Sequence, residues 1–325
     1  IGHHLALELR KQNASVTVID NLQINNIVQI LNDIELTNKK RNLYTNFILE
    51  RFELMRKSGI TFSNIDARNL NLLQDVFINF KPTKIIHLAA ISSAVIANNY
   101  PSLAYDIQIN SLRNTIDLCK NHQDMTDQLV FLSSSTVYGD FKEASVDEGV
   151  RPMPRGVYAN GKYVGERMVR EAKALYDVDY TIIRPSALYG IRCISGRVTQ
   201  KFIENALQGE PLVLEGGGSG MLDFTHIDDL VEGIIKTLLF HEGRSKTFNL
   251  TFGNARPISD LAKIIKDVIP KVKILEAPEA KLKPKRGTLI IDRAVKLLNF
   301  KPKKPIEIGY ANFCEWYLEK WNQVK

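Results

Sequence analysis

Five short runs in the first 185 residues are almost continuously apolar: Ser15 to Asp20, Gly59 to Asp66, Lys84 to Ala90, Leu129 to Ser133 and Tyr180 to Pro185. Strands with both faces covered read this way, whereas strands with one wet face alternate. Between them lie segments of helical period, at His3 to Lys11, Leu70 to Phe80, Pro101 to His122 and Tyr158 to Tyr176. Strand and helix in alternation leave few architectures, and the handedness of crossovers reduces these to an α/β, Rossmann-like doubly wound parallel sheet. Residues 24–58 are too many for an ordinary connection, which predicts helices within them. Beyond Pro185 the elements shorten and glycine punctuates them, as in Glu215-Gly216-Gly217-Gly218-Ser219-Gly220. The expected division is residues 1–185 for the sheet domain and 186–325 mainly for a smaller C-terminal α/β substrate lobe, with 226–250 returning to the first.

The 325 residues, 44% hydrophobic, suffice for a large core. No apolar run approaches the roughly 20 residues needed to cross a bilayer, and Ile1-Gly2-His3-His4-Leu5 lacks the pattern of a signal peptide. Three scattered cysteines, Cys119, Cys193 and Cys314, suit a reducing compartment, so a cytoplasmic location is expected. A net charge of +7 could serve nucleic acid, but the excess is spread along the chain. The lysine-rich stretch from Lys271 to Lys304 reads as a solvated face, and a basic cleft would also attract a small diphosphate. The histidines show no metal-ligand spacing, so no metal is expected.

The most informative local pattern is Ser133-Ser134-Ser135-Thr136-Val137-Tyr138-Gly139 followed by Tyr158-Ala159-Asn160-Gly161-Lys162. Another tyrosine, Tyr138, also has a lysine four residues on, Lys142, but it lies in a Tyr-Gly-Asp turn that fixes no common face. Tyr158 opens a helix with apolar positions at Val164, Met168, Ala172 and Leu175, so it faces Lys162 one turn away. A phenol has a pKa near 10, and a base working near neutrality needs a depression of about 3 units, or roughly 4 kcal/mol. One ammonium at about 4 Å in an effective dielectric of about 20 contributes roughly that much. The pattern predicts Tyr158 as catalytic base, Lys162 as its charge partner and Ser134, at a strand end, as the group that orients a reacting hydroxyl or carbonyl.

Gly2 opens the first helix and Asp20 ends the next strand, a spacing close to that between the last glycine of a dinucleotide fingerprint and its ribose-binding acid. A carboxylate there suits two ribose hydroxyls and repels a 2′-phosphate, so NAD is expected rather than NADP. The strand and glycines that such a fingerprint places before Gly2 are absent, and about ten further residues are expected upstream.

Together these segments resemble the extended short-chain dehydrogenase/reductases, in particular their NAD-dependent nucleotide-sugar epimerase/dehydratase group. Ile1-Gly2 resembles the end of the family's glycine loop and Ile19-Asp20-Asn21 its ribose-binding strand end. Asp66-Ala67-Arg68 is similar to the adenine-contacting turn, His87-Leu88-Ala89-Ala90 to the segment beside the cofactor, and Asn110 to the asparagine of the following helix. Arg184-Pro185-Ser186-Ala187-Leu188-Tyr189-Gly190 and Asp223-Phe224-Thr225-His226-Ile227-Asp228-Asp229 resemble two later signatures, and Lys285-Arg286-Gly287 the arginine motif that holds a diphosphate. The resemblance implies that Gly2, Asp20, Asn21, Asp66, Ala67, Leu88, Ala89, Ala90, Asn110, Tyr158 and Lys162 bind NAD. It implies that Ser134, Ser135 and Arg286 meet a nucleotide-diphosphate sugar. It also implies a homodimer through the helices at Pro101 to His122 and Tyr158 to Tyr176.

Two departures stand out: Ala187 where the family usually has asparagine, and Leu222 where arginine often precedes Asp-Phe. Arg192, Arg197 and Lys201 are the nearest substitutes for diphosphate binding. Family dehydratases and decarboxylases place carboxylates one or two residues after the Ser134 position, and here Ser135 and Thr136 stand there. The expected activity is therefore epimerisation through a transient 4-keto sugar. The alternatives are a dehydratase, decarboxylase or reductase on the same core, or a non-catalytic dinucleotide-binding or RNA-associated protein.

Overall fold

A computed structural model describes residues 1–23, 26–279 and 284–324. The start of the 24–58 connection and residues 280–283 of the lysine-rich stretch lie outside the described residues. Each apolar run contains a strand: β1 Thr17–Asp20, β2 Thr61–Asn64, β3 Lys84–His87, β4 Gln128–Leu132 and β5 Tyr180–Arg184. They are followed by β6 Leu212–Glu215, β7 Lys246–Asn249 and β8 Ile274–Ala277. The main sheet is parallel with order β7-β5-β4-β3, while β1 and β2 pair separately, also in parallel. Every residue of β4 and β5 is buried, as unbroken apolar runs require.

The helices are α1 Gly2–Lys11, α2 Asn38–Lys57, α3 Leu70–Phe80, α4 Ser111–Asn121 and α5 Gly156–Tyr176. After them come α6 Val198–Gln208, α7 Ile227–Leu239, α8 Ile258–Val268, α9 Asp292–Leu298 and α10 Ile306–Gln323. Leu112, Ile116 and Cys119 of α4 meet Val169 and Ala172 of α5 over the β4 and β5 side chains Leu129, Phe131, Tyr180 and Ile182. On the other face Leu5 of α1, Leu230 and Ile234 of α7 and Leu298 of α9 pack on Val130, Ile183 and Phe248. Thus α7 and α9, which follow the small lobe's first elements in sequence, cover the main sheet.

The stretch 24–58 contains a short helix, Ile27–Asn32, and the 20-residue α2. Asn26 and Thr37 cap them, each side chain accepting from a main-chain N–H two or three residues on. Phe47 of α2 is fully buried against Trp316 and Tyr317 of α10, with ring centres at 5.0 and 5.7 Å. Beside it, Glu204 of α6 accepts from Tyr44 at 2.6 Å, from Gln200 at 2.7 Å and from Tyr317, and pairs with Lys40 at 3.0 Å. Gln200 in turn accepts from the N–H groups of Ser195 and Gly196 at 2.7 and 3.2 Å, fixing the loop before α6. The inserted helix is therefore part of the small lobe's core.

Asp223 ties three distant segments together: it is fully buried and accepts from Leu289 N–H at 3.0 Å, Thr251 Oγ1 at 3.1 Å and Gly253 N–H at 3.1 Å. Burial pushes its pKa up to about 6, the donors opposing. No helix among the described residues is long and apolar enough to cross a membrane.

Candidate active site

Tyr158, Lys162 and Ser134 converge where β4 and β5 end, outside the carboxyl edge of the parallel sheet, which is where open α/β sheets bind ligands. Two glycines of α5 explain how close the helix comes. A Cβ on Gly165 would stand 2.4 Å from Phe131 Cζ, and one on Gly161 2.6 Å from Gln108 Nε2. Gln108 belongs to a π-helical turn, Asp106–Asn110, which joins Pro101–Tyr105 to α4. Helix α5 can therefore press Lys162 between strand and helix, leaving it only 4% exposed.

Ser134 follows β4 in extended conformation, and its Oγ accepts from Thr136 N–H at 3.2 Å and Thr136 Oγ1 at 2.9 Å. With its lone pairs engaged, its own proton is free, and the hydroxyl lies near enough to the Tyr158 phenol to oppose the rise in that group's pKa. Ser135 is buried and its N–H donates to Pro185 O at 3.0 Å. Tyr158 packs its ring among Ile91, Ala97 and Ala104.

The expected electrostatics of the pair need correction. Burial raises the Tyr158 pKa above its ordinary value, and the groups that oppose the rise are the Arg197 guanidinium and the Ser134 hydroxyl. The Lys162 ammonium is not among the groups that oppose the rise, and one of its protons is directed to a main-chain acceptor. It donates to Leu132 O at 2.7 Å and lies 5.2 Å from the centre of the Phe131 ring. Burial lowers its own pKa to about 8. An i, i+4 relation guarantees proximity of side-chain roots but not of charged ends.

The residues expected to hold a dinucleotide lie at neighbouring strand ends. Gly2 starts α1, with only Leu88 Cδ1, at 3.6 Å, near the place a Cβ would take. Asp20 ends β1 exposed, and its Oδ1 accepts from Leu22 N–H at 2.7 Å. Asn21 Nδ2 donates to Asp66 Oδ2 at 2.9 Å, and Arg68 grips the same carboxylate at 2.6 and 3.0 Å, holding it below the usual range. Arg68 also reaches Asp106 at 2.5 Å, and Asp106 accepts from Asn110. Asn110 is thus committed to Asp106, while Asn114, overlooked in the sequence, donates to Ala67 O and Arg68 O at 3.0 and 2.8 Å and fixes that turn. After β3, Leu88 and Ala90 are half-buried and Ala89 exposed, and the two alanines carry only a methyl group each. Exposed acceptors at Asp20, small side chains at Ala89 and Ala90, and two spare protons on Lys162 fit NAD.

Of the diphosphate candidates, Arg192 is turned away: it is buried and pairs with Glu50 at 3.0 Å. Lys201 is exposed on α6. Arg197 precedes α6 and its Nη2 lies 3.5 Å from Ser92 O, on the phenol's side of the crevice. Arg286 is half-buried, donates to Gly139 O at 2.5 Å and stands 5.8 Å from the Phe141 ring centre. Among the described residues no His, Cys, Asp and Glu cluster could hold a metal.

Ala187, the first departure, has φ of +35°, a region that asparagine and glycine tolerate and alanine resists. Ala187→Gly is expected to raise unfolding free energy by about 1 kcal/mol, measured by denaturant titration. An unchanged midpoint would remove the strain.

A family model described as the NAD dependent epimerase/dehydratase family matches residues 1–251. UDP-glucuronate 4-epimerase 2 of Arabidopsis thaliana is 26% identical over 99% of this chain and 74% of its own length. UDP-glucuronic acid decarboxylase 1 of Danio rerio is 27% identical over 98% of this chain and 70% of its own. The crystal structure of UDP-glucuronic acid 4-epimerase from Bacillus cereus, in complex with UDP-glucuronic acid and NAD, has the same fold. Its TM-score is 0.81 at 23% identity, covering 98% of this chain and 96% of that one. With the strand order, the glycine-opened α1 and the Ser-Tyr-Lys cluster in place, the match over most of its length means that the chain belongs to the NAD dependent epimerase/dehydratase family.

Proposed function

We propose that the protein is a NAD-dependent nucleotide-sugar epimerase acting through a transient 4-keto sugar, with a UDP-sugar as substrate. The observation that carries this reading is the convergence of Ser134, Tyr158 and Lys162 beside Ser135 and Thr136, with no carboxylate at those two positions. Tyr158, as phenolate, takes the proton of the C4 hydroxyl, and Ser134 holds that oxygen in line. Lys162, anchored on Leu132 O, keeps two protons for the nicotinamide ribose. NAD held by these residues would supply the acceptor and donor of the C4 hydrogen as hydride. Arg197 opposes the burial that would keep the phenol protonated, and Arg286 is the candidate grip on the diphosphate. Tyr158 then gives its proton back when the hexose, turned over on its diphosphate, is reduced on the other face.

A UDP-sugar is favoured because the epimerase and decarboxylase relatives carry such substrates in their names. The decarboxylase relative also supports a second reading, loss of carbon dioxide from the same keto intermediate. A screen of UDP-, dTDP-, GDP- and CDP-sugars in deuterated water separates them. The expected product is a C4 epimer with no solvent deuterium on ring carbons. Carbon dioxide release with deuterium at C5 would replace epimerisation by the second reading. A homodimer belongs to this proposal, since α5 exposes Val164, Leu175 and Tyr176.

A further inference from the structure

We propose, building on that reading, that Glu166 and its partner Arg184 are positioning residues that set where Ser134 meets Tyr158. Tyr158, Lys162 and Glu166 follow one another at intervals of four along one face of α5. The last two are each fastened to the end of β4. Lys162 donates to Leu132 O at 2.7 Å, and Glu166 Oε1 accepts from Ser133 Oγ at 2.6 Å. The same carboxylate receives Arg184 in two-pronged fashion, Nε at 2.8 Å and Nη2 at 2.6 Å. Both residues are 1% exposed, in a chain whose other charged residues lie mostly at the surface.

The placement gives the pair its effect on the site. Ser133 immediately precedes Ser134, and Arg184 immediately precedes Pro185, whose carbonyl accepts from Ser135 N–H at 3.0 Å. One carboxylate on α5 is therefore tied to Ser133 directly and, through Arg184 and the adjoining Pro185, to Ser135 on the other side of Ser134. The Arg184 guanidinium also lies 4.6 Å from the centre of the Tyr138 ring, whose hydroxyl donates to Asn249 Oδ1 at 2.8 Å. Stability alone does not require such an arrangement, because apolar residues of similar volume often replace a buried ion pair without loss. A fork of fixed geometry supplies what an apolar contact lacks, a defined distance and direction between helix and strand ends.

The test uses the NAD-bound protein carrying Glu166→Met with Arg184→Met, and separately Ser133→Ala. Two readouts are followed. One is ionisation of the Tyr158 phenol, taken as the tyrosinate absorbance difference between each background and the same background with Tyr158→Phe. The other is kcat and KM with UDP-glucose and UDP-glucuronate as probes. The expected result is a cooperative fold with the phenol ionising about one pH unit higher, roughly tenfold less phenolate at a given pH. kcat should fall about tenfold or more, with KM within about twofold. Glu166→Gln, which keeps an acceptor for Ser133, should restore most of both. A folded double variant with the parent's phenol ionisation and kcat would overturn the proposal. Should the double variant not fold, Ser133→Ala decides on the same readouts. If the parent turns over neither probe, the epimerase reading fails for those sugars, and the phenol ionisation alone decides the positioning role.

Discussion

Tyr158→Phe is expected to reduce turnover by about 10²- to 10⁴-fold, the range that a positioned proton-transfer group contributes. The aromatic ring already rests among Ile91, Ala97 and Ala104, so phenylalanine keeps that packing and the variant should unfold at the parent's midpoint. NAD affinity should change little, because the carboxylate, main-chain and ammonium contacts proposed for the cofactor come from Asp20, Ala89, Ala90 and Lys162. Turnover of the identified sugar nucleotide, together with a fluorescence titration of NAD, checks both halves. Activity near that of the parent would remove the base. Loss of NAD binding along with activity would show that the phenol belongs to the cofactor pocket.

Phe47→Ala is expected to cost about 3–5 kcal/mol of stability, as for other buried aromatic truncations. Phe47 is fully buried and meets two aromatic rings of α10. A residue in a mere surface excursion would cost about 0.5 kcal/mol or less. Urea denaturation decides between the two, and a small loss would detach the inserted helix from the core.

The contrast between these two residues shows what the sequence could carry. Strands β3, β4 and β5 and helices α3 and α5 were legible because burial on one or two faces imposes a period that any window of ten residues displays. The convergence of Ser134 with Tyr158 followed from the same logic, since strand ends and the helix after them meet at one edge of a parallel sheet. Residues 38–57 were legible as helix but not as core, because the rings that bury Phe47 belong to α10, at the far end of the chain. Lys162 was read as the phenol's charge partner because the spacing shows only where the side chain starts. Its real acceptor is a main-chain carbonyl, which no residue type announces. Signals for the buried pair were present and overlooked: Glu166 sits between Gly165 and the fully buried Val169, and Arg184 closes an otherwise apolar run. A charge where the pattern demands an apolar residue points to a partner of opposite sign.

The Glu204 cluster bears on how such proteins can be recombined. Its donors come from three helices scattered through the chain, Lys40 and Tyr44 early, Gln200 midway and Tyr317 near the end. A chimera that lost residues 38–57 would take Lys40 and Tyr44 away from a buried carboxylate. Hybrids that keep the whole cluster must therefore exchange α2, α6 and α10 together.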